Sequence, residues 1–245
     1  MKSALLRLFS ALSFFALCSV GAAGDAGGGA GGAIEETYRY SAVPSPGGDS
    51  EEILVKFSFA GEGEYRSYNS TVRESIVART DRDGFFIGGA KHSAASNSSV
   101  YVRRQGEHII IENARKRRVR KIPEGLPVAA DGSLLILFRR LIDRGAQATD
   151  VFMVDFTGVT VTAGIRFTGT ERIEVPAGSF DCHRIEVSLR IPLLRPKVIF
   201  WLAKEQPHFM VKHQGKRGPF SRTYTTSLLE IAPPDGPGSS PVVEN

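Results

Sequence analysis

Apolar and polar residues alternate with a period of two through most of the chain. Ile53, Val55, Phe57 and Phe59 fall on one strand face, with Leu54, Lys56 and Ser58 on the other. Val159, Val161, Ala163, Ile165 and Phe167 alternate with Thr160, Thr162, Gly164, Arg166 and Thr168. Ile185, Val187, Leu189 and Ile191 alternate with Arg184, Glu186, Ser188 and Arg190. Weaker alternation marks 38–42, 64–79, 85–88, 100–104, 108–112, 198–203, 208–213 and 220–231. One apolar face and one wet face is the pattern of antiparallel sheet. Turn formers separate the runs: Asp83-Gly84, Gln105-Gly106, Pro176-Ala177-Gly178 and Gly215. The chain is predicted to be mainly β.

One segment follows a different period. Over 133–144, Leu134, Leu137, Phe138, Leu141 and Ile142 recur at helical spacing, with Arg139 and Arg140 off the stripe. Asp131 or Ser133 is placed to cap the start and Gly145 to end it. A single amphipathic helix of about three turns is expected, its stripe laid against the concave side of a curved sheet.

The two ends lack such patterning. Lys2 and Arg7 precede an uncharged run from Leu8 to Val20, followed by Gly21, Ala22, Ala23 and Gly24, the layout of a secretory signal over 1–24. Lipid anchoring through Cys18 is not expected, because Leu17 is bulky where lipoprotein processing takes a small residue. Residues 25–33 read as a glycine-rich linker and 233–245 as a disordered Pro/Gly/Ser tail. That leaves 34–232 as one β-rich domain in an exported protein of the periplasm or cell envelope.

Composition narrows the function classes. The 245 residues are 42% hydrophobic and 23% charged with a net charge of +5, an ordinary globular profile. Loss of the signal would remove two basic residues and bring the charge to +3. Two cysteines exclude a disulfide scaffold and a multi-cysteine zinc module. No run after the N-terminus approaches the ~18–20 apolar residues of a membrane span.

The chemistry-bearing residues are few. The basic run Arg115-Lys116-Arg117-Arg118, continued by Arg120 and Lys121, is either a solvated edge that blocks strand pairing or a contact for anionic headgroups. Nucleic acid is not an expected partner for an exported chain. Cys182 and His183 are adjacent and so point to opposite faces of a strand, which separates them as a nucleophile pair. Cys182 is expected to be a small buried hydrophobe. His92, His108, His183, His208 and His213 lack metal-ligand spacing, and His208 and His213 are expected on opposite sides of one strand. No catalytic motif is present, and no metal or cofactor is expected.

The stretch from Glu171 to Glu186, ERIEVPAGSFDCHRIE, together with Phe200-Trp201-Leu202-Ala203-Lys204-Glu205, Pro207, Val211-Lys212 and Leu228-Leu229-Glu230-Ile231, resembles a group of exported bacterial proteins catalogued as domain of unknown function 3108. The resemblance covers about 150–231. It implies a strongly curved antiparallel sheet or incomplete β-barrel with one short helix, similar to the half-barrels that carry lipoproteins. It supplies no catalytic residues.

Three functions follow as expectations. The first is a non-enzymatic envelope protein that holds a lipid, an acylated protein or a hydrophobic peptide in a half-barrel hollow. Leu134, Leu137, Phe138, Leu141, Phe200 and Trp201 would line that hollow, the helix would act as plug or lid, and Arg117, Arg118 and Arg120 would meet anionic headgroups. The second is an envelope scaffold that binds a protein partner, for which a filled interior would speak. The third is an enzyme built on Cys182, which requires an accessible thiol of low pKa.

Overall fold

The structure, a computed structural model, describes residues 34–59, 64–191, 196–216 and 222–232. The expected signal, linker and tail, with Cys18 and the first two residues of the 220–231 run, lie outside the described residues.

Eight strands come first: β1 (Ile34–Ser45), β2 (Glu51–Phe59), β3 (Tyr65–Ser70), β4 (Glu74–Thr80), β5 (Phe86–Ser93), β6 (Ser98–Gln105), β7 (His108–Asn113) and β8 (Lys116–Lys121). A short strand β9 (Val128–Ala130), a 3-10 turn (Asp131–Ser133) and helix α1 (Leu134–Asp143) follow. The chain then runs through β10 (Ala148–Val154), β11 (Thr160–Val175), β12 (Gly178–Leu189), β13 (Lys197–Ala203), β14 (Met210–Lys216) and β15 (Thr223–Ala232).

All fifteen strands belong to one sheet, in the order β8-β7-β6-β5-β4-β3-β2-β1-β15-β14-β13-β12-β11-β10-β9. Two antiparallel meanders are therefore stitched together where β1 pairs with β15. The pairing of β9 with β10 is parallel. The sheet curves without closing into a barrel, so β8 and β9 are its two ends. Mainly β as the alternation predicts, and curved, open and with one short helix as the resemblance implies, it matches the expected fold class.

Burial concentrates in two places. In the larger core, α1 packs against Tyr38, Tyr40, Ile53, Val55 and Phe57 of β1 and β2 and against the inner residues of β10 to β14. In the smaller, Ala78, Phe86, Val102, Ile109 and Ile111 of β4 to β7 face Val128 and Ala130 of β9 and Phe152 and Val154 of β10. The outer wing of the first meander thus folds over the end of the second, sheet face against sheet face.

The helix forms where its apolar spacing put it. Leu134, Ile136, Leu137, Phe138 and Leu141 are buried. At its end, Gly145 takes a φ of +64°, its N–H bonds to Ile142 C=O at 2.9 Å, and Ala146 N–H bonds to Leu141 C=O at 2.9 Å. That is a Schellman cap, which glycine enters without a Cβ clash. The start differs from expectation: neither Asp131 nor Ser133 caps the first helical N–H groups. Ser133 Oγ turns back to Ala130, accepting from its N–H and donating to its C=O, both at 3.0 Å. The run 64–79 is also two strands. Thr71 N–H bonds to Glu74 C=O at 3.1 Å and turns the chain between β3 and β4 without a Gly or Pro.

Candidate functional site

The concave side of the sheet, where a ligand was expected, is occupied by α1. Phe138 meets Phe200 edge to face at 4.9 Å between ring centroids. Leu134, Leu137 and Leu141 lie in the same core with them. Trp201 is buried in the same cluster but differs from these five in direction. As the neighbour of Phe200 on β13 it faces the other side of the sheet, level with Arg184 and Lys212. There its indole N–H donates to the Glu171 carboxylate, and Lys212 Nζ lies 5.4 Å from its ring centroid.

Several contacts fix the helix in place. Ser67 Oγ donates to the C=O of Gly132, just ahead of α1. Arg139 pairs with Glu36 at 2.8 Å, and its guanidinium lies 4.4 Å from the Phe57 ring centroid. Arg144 pairs with Asp83. Gly84, at φ +86°, lets the β4–β5 turn touch the helix backbone, since a Cβ there would sit 2.9 Å from Leu137 Cα.

Besides a pocket of about 160 Å³ lined by Phe57, Tyr65, Ile136 and Arg139 among others, the helix leaves a cavity of about 90 Å³, bounded by Tyr40, Leu134, Phe200, Met210, His213 and Asp131 among others. That is room for about three water molecules, whereas pockets for drug-sized ligands run to ~300–1,000 Å³. Its polar groups are nonetheless unusual. Burial, reinforced by the nearby Asp155 charge, pushes the Asp131 carboxyl up to about 7. His213 Nδ1 lies 3.2 Å from Thr226 Oγ1. The Tyr40 hydroxyl is buried and has no hydrogen-bond partner among the described residues.

Cys182 is fully buried, its Sγ 3.5 Å from Phe180 C=O, and burial pushes its thiol up to about 12. Both properties oppose a nucleophilic role. His208 departs from its expected place on a strand: it lies ahead of β14 with a φ of +57° and is buried, its Nδ1 3.0 Å from Ala203 C=O. His213, on β14, is buried as well. Among the described residues no His, Cys, Asp and Glu side chains group as a metal site, and no helix is long and apolar enough to cross a membrane.

The second candidate is the basic wing. Residues 98–121, which make β6 to β8, hold eight Lys and Arg against two Glu, a balance of +6 that exceeds the +5 of the whole chain. Register divides the proposed headgroup contacts between two faces. Lys116, Arg118 and Arg120 stand opposite Asn113, Ile111 and Ile109 on the inner side of β7, while Arg117, Val119 and Lys121 stand opposite Glu112, Ile110 and His108 on the outer side. Arg117 pairs with Glu112 at 3.0 Å, and Arg118 donates to Thr157 C=O at 3.4 Å. Between the β6–β7 turn and the loop 122–127 lies an open concavity of about 980 Å³, edged by Arg104, Lys121, Glu107 and Glu124.

No protein-family model and no curated protein matches the chain. Among solved structures it is similar to the hypothetical lipoprotein YmcC of Escherichia coli, at 10% identity and a TM-score of 0.33, over 82% of this chain and 89% of that one. It is also similar to a protein with a YmcC-like fold from Bacteroides fragilis, at 9% identity and a TM-score of 0.32, over 82% of this chain and 100% of that one.

Proposed function

We propose that this chain is an exported, non-enzymatic protein of the cell envelope that works through its surface, binding a partner there and holding no lipid inside. The export half of this reading rests on the signal-like first 24 residues. The other half rests on one observation: α1 fills the concave side of the sheet and leaves pockets of only about 90 and 160 Å³ beside it. Admitting an acyl chain would mean withdrawing the helix. Exposing its five buried side chains at ~1.5–3 kcal/mol each costs on the order of 10 kcal/mol, comparable to the whole stability of a typical domain. A lid that expensive to open is a core element. The buried, high-pKa Cys182 favours the same reading over an enzyme built on that thiol.

Native mass spectrometry of protein purified from an envelope fraction, followed by organic extraction, tests it. The expected spectrum shows an unliganded mature mass. A stoichiometric co-purifying lipid would overturn the reading and restore the carrier.

A further inference from the structure

We infer that β8 is a docking edge for an acidic extended segment of a partner protein, which adds to the sheet as a sixteenth strand. This rests on the reading that the chain acts through its surface. It starts from topology. β8 pairs with β7 on one side and ends the sheet on the other, so half of its backbone donors and acceptors face outward. Five of its six residues are exposed, and no described element lies along the outer edge in the sheet.

Charge selects the occupant. Five of the six side chains of β8 are Lys or Arg, and among the described residues only Arg117 has a carboxylate within 4 Å. A second copy pairing antiparallel on this edge would set cation against cation at nearly every position, which cross-strand energetics disfavour. A strand carrying Glu or Asp would reverse the sign of each contact, and main-chain hydrogen bonds would add affinity independent of side chains. The same run that excludes self-pairing therefore admits an acidic strand.

The distribution over faces separates this from docking on a flat anionic membrane. Cations stand on both sides of β8, Lys116, Arg118 and Arg120 on one and Arg117 and Lys121 on the other. A pairing strand also presents side chains alternately to both sides and meets both sets. A flat surface laid on either face of the wing meets one set.

The test uses the full chain and a fluorescent peptide alternating Glu with Val. Its controls are a peptide of equal charge with Pro in place of each Val, and phosphatidylglycerol vesicles. The Glu/Val peptide is expected to bind, with affinity falling as salt rises, and to slow amide exchange in β8 selectively. R118E/R120E and R117E/K121E, on opposite faces, are each expected to weaken it about tenfold with unchanged urea midpoints. Equal binding of the Pro peptide would overturn the proposal, because charge alone would then suffice. So would loss confined to one variant pair, binding to vesicles but not peptide, or binding to neither. None of these results touches the surface reading, which stands or falls on the lipid extraction.

Discussion

β8 and β9 are consecutive in the chain, yet they form opposite ends of one sheet. Both face the hazard of an unpaired strand edge, and they meet it by opposite means. β9 is three residues long, Val128-Ala129-Ala130, and essentially without solvent contact. Val128 and Ala130 lie under the folded-over wing, and the Ser133 hydroxyl satisfies both backbone groups of Ala130. β8 is twice as long, exposed and strongly cationic. One end is protected by burial and the other by repulsion. Changes at β9 should therefore register in stability, and changes at β8 in what the protein associates with.

The sharpest way to break this contrast is to give β9 the chemistry of β8. Val128→Lys places an ammonium among the apolar side chains of the smaller core, and we expect a loss of ~4 kcal/mol or failure to fold. Soluble yield and a urea midpoint read the outcome. A fully stable Val128→Lys would mean that β9 is not a sealed edge. Next in size is Phe138→Ala on the helix, expected to cost ~3–4 kcal/mol through the cavity left beside Phe200. If it leaves the urea midpoint unchanged, α1 is a detachable lid and not part of the core.

An effect of intermediate size is tied to pH. Burial raises the folded pKa of Asp131 to about 7 from its ordinary 3.8, so the folded state binds the proton that the unfolded state releases. Stability contributed by this group is full below about pH 4, falls as pH rises through the interval between the two values, and is flat above. Asp155 is shifted the same way by burial. Asp131→Asn should flatten the slope and raise the urea midpoint at pH 8 by the equivalent of ~1–2 kcal/mol, less than full linkage because the carboxyl keeps some water. An unchanged slope would show that Asp131 titrates normally.

The difference between the two edges also marks how far the sequence could be read. Local periodicities carried through: the alternation about Ile53 and Ile185, the helical spacing from Leu134 to Leu141, and the stop at Gly145. Each is a short-range property of the chain. The separation of Phe200 from Trp201 was legible too, since adjacent strand residues face opposite ways, and the same rule parts Arg117 from Arg118. The joining of β1 to β15 left no local mark, because its partners lie some 190 residues apart. Without that pairing the sheet ends stay unknown, and with them the exposed edge of β8 and the plugged hollow. The turn at Thr71 lacks Gly or Pro, and Asp131 acquires its neighbour Asp155 only through folding.

The smallest stability effect carries the clearest lesson about β8. Replacing Arg117, Arg118 and Arg120 together by Thr keeps good strand formers on an exposed edge and removes one ion pair, that of Arg117 with Glu112. An exposed pair contributes ~0–1 kcal/mol, so the urea midpoint should barely move. What should change is association. With three of the five like charges gone, the outward backbone groups of β8 become available to a second copy, and sedimentation velocity should show a concentration-dependent dimer absent from the parent chain. Rising salt should produce a weaker version of the same dimer in the parent, because screening acts on the same repulsion. A variant that stays monomeric at all concentrations would show that something other than charge guards this edge, and the contrast between the two ends of the sheet would then have to be drawn on different grounds.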